Sequence, residues 1–373
     1  MSNWTMRGGG VILLTLVGTV MAEGAKGARP GNSESVRRAV RYLETLGQAD
    51  DGSFSSQLGP GVTAIATTAL LRSGRSPTSP AVAKALVYLQ RYVQKDGGIY
   101  QPGTFYRNYE TCLALMCFQG ANGDGHYTEL IRRADAFVRR GQWDEGESID
   151  ASNVAYGGAG YGKHKRPDLS NTSFLVDALH AVNSPEDRAA IQRALVFVSR
   201  CQNLESQYNT TPFSARNPDG GFYYTPAAGG SSEAGTTASG GLRSYGSMTY
   251  AGLKSMIYAG LGPDDTRVKA AVAWIKRHYT LDSNPGMGQA GLYYYYHTFA
   301  KALSALHVDV LVDDEGRHHD WRSDLEHALR RLQRADGSWV NPHARWLEGD
   351  PNLVTSYALL ALSYCRRGEK DKK

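Results

Sequence analysis

The sequence predicts an all-α fold, a toroid of six helical hairpins of the (α/α)6 class. Three observations carry that prediction. A phrase of Gln, three residues, Gly, one residue and an aromatic recurs along the chain. An amphipathic helical pattern precedes each copy, and a helical pattern with little polar surface follows it. Six amphipathic and six apolar helices in strict alternation bury both sets most economically as an inner ring inside an outer ring.

The phrase reads QADDGSF from Gln48 to Phe54, QKDGGIY from Gln94 to Tyr100, and QRADGSW from Gln333 to Trp339. NPDGGFY places Asn217 where the others have Gln. QWDEGES, from Gln142, lacks the closing aromatic, and the stretch around Gly291 and Tyr293 is weaker still. The first copies lie about two helices and two turns apart. Asp-Gly supplies a tight turn with positive φ at a helix end, and the Gln amide can bond backbone groups left unpaired there.

Before the phrases, Val36, Ala39, Val40, Leu43 and Leu46 share one helical face, as do Val82, Ala85, Leu86, Leu89 and Val93. The spacing returns at Ile131, Ala134 and Val138, at Ile191, Ala194, Leu195 and Val198, at Val268, Ala271, Val272 and Ile275, and at Leu325, Ala328, Leu329 and Leu332. Arg and Lys fill the opposite faces, so these are surface helices with one buried stripe. The helices after the phrases begin near Val62, Tyr109, Ser170, Met248, Tyr296 and Leu353. They are apolar nearly all round and rich in small residues, which means burial on more than one side.

Composition agrees. Of 373 residues, 41% are hydrophobic and 21% charged, a globular balance rather than a disordered one. The net charge of +5 comes from scattered Lys and Arg with no basic stripe, so nucleic acid is not an expected partner. Near the start, Arg7 precedes an apolar run from Val11 to Met21, too short to span a bilayer, and Val20-Met21-Ala22 fits a cleavage site. The expectation is a signal peptide over 1–22 and an exported mature protein, periplasmic or secreted, with no transmembrane anchor after cleavage. The toroid is expected over 33–367, followed by a disordered tail over 368–373. Cys112, Cys117, Cys201 and Cys365 are too scattered for a zinc cluster and read as buried thiols. No cofactor is called for.

QADDGSF and QRADGSW, set between alternating outer and inner helices, resemble the QW-type repeats of the squalene/hopene cyclase and protein prenyltransferase superfamily, and the likeness covers nearly the whole mature chain. The resemblance implies the toroid and an isoprenoid chemistry. YYYYHTF, from Tyr293 to Phe299, resembles the prenyltransferase segment whose Tyr-His-Thr supplies a zinc-binding histidine, which would place a metal role on His297. The family's Asp-x-Cys partner is missing: residues 219 to 250 hold Asp219 but no cysteine. The DxDD acid of the cyclases is missing too, since VLVDDEGR offers only Asp313 and Asp314 in a turn.

Two inserts interrupt the alternation, one at 151–168 containing AYGGAGYGKHKRPD and one at 202–245 containing PAAGGSSEAGTTASGG. Both fall on the rim where inner helices begin, and the second reads as either a lid or a flexible connector. On that rim the positive ends of six helix dipoles converge. The candidate catalytic residues are His297, Glu110, Asp168 and Asp350. The candidate ligand-binding residues are Tyr106, Tyr109, Asn171, Tyr245, Thr249, Tyr294, Tyr295, Lys301, Trp346 and Asn352. Tyrosines there fill a wide neck while keeping their hydroxyls wet, or offer π faces to a sugar or a cation.

Two functional readings follow. In the first, the barrel mouth binds a small molecule, an isoprenoid or a glycan, or a protein partner, without the superfamily's standard catalysis. In the second, the chain is an isoprenoid-modifying or carbohydrate-active enzyme that uses His297 with Glu110, Asp168 or Asp350.

Overall fold

The computed structural model describes residues 33–162 and 166–366. The expected leader and the C-terminal tail lie outside the described residues. Twelve α-helices are present among them: α1 Glu34–Tyr42, α2 Pro60–Arg72, α3 Pro80–Gln90, α4 Arg107–Ala121, α5 Thr128–Arg140, α6 Leu169–Val182, α7 Asp187–Arg200, α8 Gly246–Tyr258, α9 Thr266–Arg277, α10 Leu292–Ala305, α11 Trp321–Leu332 and α12 Pro351–Tyr364. A two-stranded antiparallel ribbon pairs β1 Leu311–Val312 with β2 His318–His319 ahead of α11.

The even-numbered helices close a ring. α2 packs on α4, α4 on α6, α6 on α8, α8 on α10, α10 on α12, and α12 back on α2. The odd-numbered helices stand outside, with α3, α5, α7, α9 and α11 each packed on the inner helix before it and α1 on α12. The predicted toroid is therefore the observed fold. The pairing also shows that the Gln-Gly phrase sits between hairpins, where the chain crosses from an outer helix to the next inner one.

The side chains explain this arrangement. Along α5 the buried positions form a stripe, Ile131, Ala134, Asp135 and Val138, and along α11 they are Trp321, Leu325, Ala328 and Leu329. Along α10 and α12 nearly every residue is buried. Two expected stripe residues face outward. Leu46 is 67% exposed because residues Leu43–Gly47 form a π-helical turn, which rotates it off the buried face. Leu332 is exposed at the last position of α11. Helix starts are capped by side chains: Ser33 caps α1, Asp265 caps α9 and Asp320 caps α11, each accepting a backbone N–H of the first turn.

The phrase proves to be a clamp between neighbouring outer helices. The Gln48 amide donates to Gly52 O at 3.1 Å and to Ala81 O at 2.8 Å, in the first turn of α3. Gln333 donates to Gly337 O and to Ser35 O in α1, both at 2.9 Å, which ties the end of the toroid to its beginning. The aromatic that follows, Phe54 or Trp339, is fully buried under the junction. Burying such a side chain stabilises by about 1.5–3 kcal/mol.

Two copies differ from the sequence reading. Gln142 pairs with Gly157 O and Ala190 O, so its glycine lies within the first insert and not in QWDEGES. Gln202, not Asn217, holds the clamp position before the glycine of NPDGGFY, bonding Gly220 O and Arg267 O. The inserts split the phrase internally, which hid both registers. The four cysteines are free and buried.

The second insert is a folded loop. Thr225 pairs with Ser231 and Thr236 with Leu242. Thr225 Oγ1 donates to Pro167 O at 2.7 Å, and Glu233 takes an ion pair from Arg345 at 2.5 Å. It thus joins the segments that precede α6 and α12 on the rim where inner helices begin. Among the described residues, no helix is long and apolar enough to cross a membrane.

Candidate functional site

The ring encloses a central cavity of about 440 Å³. Its floor is set by Ile65, Leu113, Phe174 and Tyr357, all buried. Its rim carries Arg72, Gly120, His180 and Ala181, all exposed and all in the last turns of their helices. The cavity therefore opens where the inner helices end, opposite to the rim that the sequence points to. The reason is a plug of aromatic rings across the neck. Tyr109 meets Phe174 edge-on at 5.2 Å, Phe174 lies 6.0 Å from Tyr294, and Tyr294 lies 5.8 Å from Tyr357. The Tyr109 and Tyr357 hydroxyls are hydrogen-bonded, and Tyr294 shares a 3.2 Å contact with Ser170 Oγ. Four rings from α4, α6, α10 and α12 thus separate the N-terminal rim from the cavity.

One wall of the cavity is apolar. α2, α4 and α12 contribute Leu71, Met116 and Leu360 above the floor residues. The other wall is charged. Asp177 of α6 stands 2.6 Å from Lys254 of α8 and 2.6 Å from Lys301 of α10. Lys254 also donates to Ser173 O at 3.1 Å and Ser173 Oγ at 2.9 Å. Tyr258 lies beneath both ammonium groups, about 6 Å from each, with the His180 ring stacked on it at 3.9 Å. His297, one turn before Lys301 on α10, lines the cavity against Tyr357, and its Nδ1 is buried without a hydrogen-bond partner.

The electrostatics follow from burial and pairing. Burial acts to raise the Asp177 carboxyl, but Lys254 and Lys301 together outweigh it and hold the group down at about 2. Burial pulls the Lys254 ammonium down to about 8 against the pull of Asp177. Lys301 is also buried, but Asp177 more than offsets this and raises it. Burial, then the Lys301 charge, pushes His297 well below the ordinary histidine range, so its imidazole is neutral at physiological pH. Asp177 is thus a fixed carboxylate and His297 a neutral ring with an unused nitrogen.

Of the sequence-predicted residues, His297 and Lys301 line this cavity. The carboxylates proposed to work with His297 stand elsewhere. Asp168 caps α6 by accepting the Asn171 N–H at 2.8 Å and the Asn171 side-chain amide at 2.8 Å. Asp350 caps α12 through Leu353 N and accepts a bond from Ser55 Oγ at 2.7 Å. Glu110 accepts the Gln101 N–H at 2.8 Å, and burial raises its carboxyl to about 7.

The remaining candidates are accounted for by the rim. Tyr109 and Tyr294 belong to the plug. Tyr245 precedes the first turn of α8, and Thr249 takes the Phe222 N–H at 3.1 Å. Tyr295 donates to Thr280 O at 2.7 Å, and Asn352 donates to Gly47 O at 3.0 Å. Tyr106 is half exposed beside Tyr161, and Trp346 is exposed beneath the Arg345 guanidinium. Among the described residues, no group of three His, Cys, Asp or Glu side chains is placed to hold a metal ion.

Asp177 and Lys254 are the residues that the sequence reading passed over. They had a signal. SFLVDAL and AGLKSMI each carry one charge in a helix that is otherwise apolar all round, and a charge in such a place must be paired.

A closed ring of inner helices around one cavity, with outer helices clamped behind it, defines an α/α toroid of the terpene-cyclase kind. The chain belongs to the squalene-hopene cyclase C-terminal domain family, whose model matches residues 33–226. Among solved structures it is similar to a variant of the type II terpene cyclase MstE from Scytonema bound to its substrate, geranylgeranyl dihydroxybenzoate. The identity is 15% over 89% of this chain and 96% of that one, with a TM-score of 0.52. It is similar to a glycosyl hydrolase family 88 protein from Bacteroides vulgatus, with 12% identity, 89% and 97% coverage and a TM-score of 0.52. A protein from Actinoplanes aligns at 15% identity over 89% of this chain and 99% of its own, at a TM-score of 0.50. No curated protein matches the chain by sequence.

Proposed function

We propose that this protein binds an isoprenoid-type molecule in its central cavity and does not start cyclisation by protonating it. The observation that carries the reading is the cavity itself: about 440 Å³, open at one end, with an apolar wall and an aromatic floor. That volume lies in the range of small-molecule sites, ~300–1,000 Å³. The MstE relative binds a geranylgeranyl compound within a similar fold. The carboxyl group lining the cavity, Asp177, is held ionised by two lysines and so has no proton to give.

The test uses farnesol as an uncharged isoprenoid probe, followed by isothermal titration calorimetry. Saturable binding is expected, and Met116→Trp, which fills the cavity from the apolar wall, should weaken it at least tenfold. Equal affinity in the variant, or no binding to the wild type, would place the function outside the cavity.

A further inference from the structure

We infer that the cavity's ligand carries a single carboxylate, seated on Lys301 and His297 with its apolar chain against α2, α4 and α12. The inference deepens the reading above and rests on it. Asp177 carries one negative charge and is shared by two ammonium groups at 2.6 Å, which leaves one positive charge uncompensated in the wall. Arg72 adds a second at the rim, its guanidinium 4.7 Å from the centre of the Tyr364 ring.

A count of donors shows where that excess points. Lys254 has two hydrogen-bond acceptors, Ser173 O and Ser173 Oγ, and an ion pair with Asp177 Oδ1 at 2.6 Å, so three partners surround its three N–H groups. It is spent. Lys301 has one acceptor among the described residues, Asp177 Oδ2, so two of its N–H groups are left for the cavity it lines. One helical turn away, His297 lines the same cavity, is only 7% exposed, and has a buried Nδ1 without a hydrogen-bond partner. An unsatisfied buried polar atom and an uncompensated buried charge are both costly. An oxyanion between Lys301 and His297 would satisfy both, accepting from the ammonium and from the imidazole in its Nδ1–H form.

The remaining groups fix the class of ligand. A cationic head would meet two lysines and an arginine. An uncharged head would leave the excess charge unanswered. Asp177, already held by Lys254 and Lys301, keeps the two ammonium groups in place. Leu71, Met116 and Leu360 then take the chain on the opposite wall.

The experiment compares three heads on one chain: farnesoic acid, farnesol and farnesyl monophosphate, titrated calorimetrically into the full protein at pH 7.5. The acid should bind at least tenfold more tightly than the alcohol. Lys301→Met should bring the acid to within about twofold of the alcohol. His297→Phe keeps an aromatic ring, removes the nitrogens, and should lower affinity for the acid more than for farnesol; it serves as the second arm should Lys301→Met fold poorly. If acid and alcohol bind equally and Met116→Trp weakens both, the carboxylate seat is overturned and the cavity reading stands. If none of the three binds, both fall. A tenfold preference for the monophosphate over the acid overturns the single-charge assignment.

Discussion

Asp177 on α6 and Lys301 on α10 are joined at 2.6 Å across the inner face of α8, which stands between their helices in the ring. With Lys254 on α8 itself, the carboxylate pins three consecutive inner helices at one level of the cavity. Removing one member of a buried ion network leaves the others uncompensated, at a cost of about 3–5 kcal/mol. Asp177→Asn should lower stability to unfolding by that amount, measured by denaturant titration at neutral pH. Adding Lys254→Met should restore part of the loss. The folded-state value near 2 lies below the ordinary 3.8, so the contribution is complete above pH 3.8 and fades as pH falls toward 2. An Asp177→Asn loss under 1 kcal/mol would mean the network is not a structural tie.

The clamp that joins α11 to α1 closes the toroid. Gln333→Ala removes two amide bonds, to Ser35 O and Gly337 O, and should cost about 1–3 kcal/mol. Gly337 tests the same junction sterically. Its φ is +94°, and a Cβ there would lie 2.5 Å from Arg38 O. Gly74 has nearly the same φ, +93°, but a Cβ would meet nothing within 4 Å. Gly74→Ala should therefore cost only the backbone term, about 1–2 kcal/mol. Gly337→Ala should cost clearly more. Equal melting temperatures for the two variants would show that the close approach at Gly337 relaxes without penalty.

Glu110 supplies a pH-dependent term. Burial raises its carboxyl from 4.5 to about 7, so the folded state holds the proton more tightly than the unfolded chain. Its contribution is complete below pH 4.5 and is lost as pH rises through 7. Glu110→Gln keeps an acceptor for the Gln101 N–H without the charge. The variant should gain on the wild type between pH 5 and pH 8 by on the order of 2–3 kcal/mol, read from urea midpoints at the two pH values. A constant difference would place the Glu110 proton elsewhere.

The toroid was legible because its signals are local and repeated. An amphipathic stripe such as Ile131, Ala134 and Val138 announces an outer helix, and an unbroken apolar run such as VTSYALLAL announces an inner one. The Gln clamp was legible where the phrase is continuous, at Gln48 and Gln333. It was misplaced at Gln142 and Gln202, where an insert separates the Gln from its glycine. The end of the barrel that opens was not legible at all. That depends on four rings, Tyr109, Phe174, Tyr294 and Tyr357, drawn from helices far apart in sequence and meeting at the neck. Nor does any local motif link Asp177, Lys254 and Lys301, whose spacing reflects the ring's geometry. His297 was found through its Tyr-His-Thr context, yet its surroundings are a lysine and aromatic rings, and the carboxylates expected beside it are engaged at the other rim.

The Gly/Ser-rich loop at 226–241 offers a contrast between local and global stability. Its link to the loop before α12 is the Arg345–Glu233 pair at 2.5 Å, with both side chains part-exposed. Such a surface pair contributes about 0–1 kcal/mol to unfolding. The loop's other ties include short bridges, the Thr225 bond to Pro167 O, and part-buried or exposed bonds from Arg166 to Ser231 Oγ, from Ser239 Oγ to Arg216 O and from Ser232 Oγ to Arg243 O, so opening it breaks few buried contacts. Glu233→Gln should therefore leave the melting temperature within a degree or two. Amide hydrogen exchange over 226–241 should accelerate severalfold, while exchange in α8 and α12 stays unchanged. Acceleration reaching into α8 would show that the loop and the inner ring open together, and would make this rim part of the core's own cooperative unit.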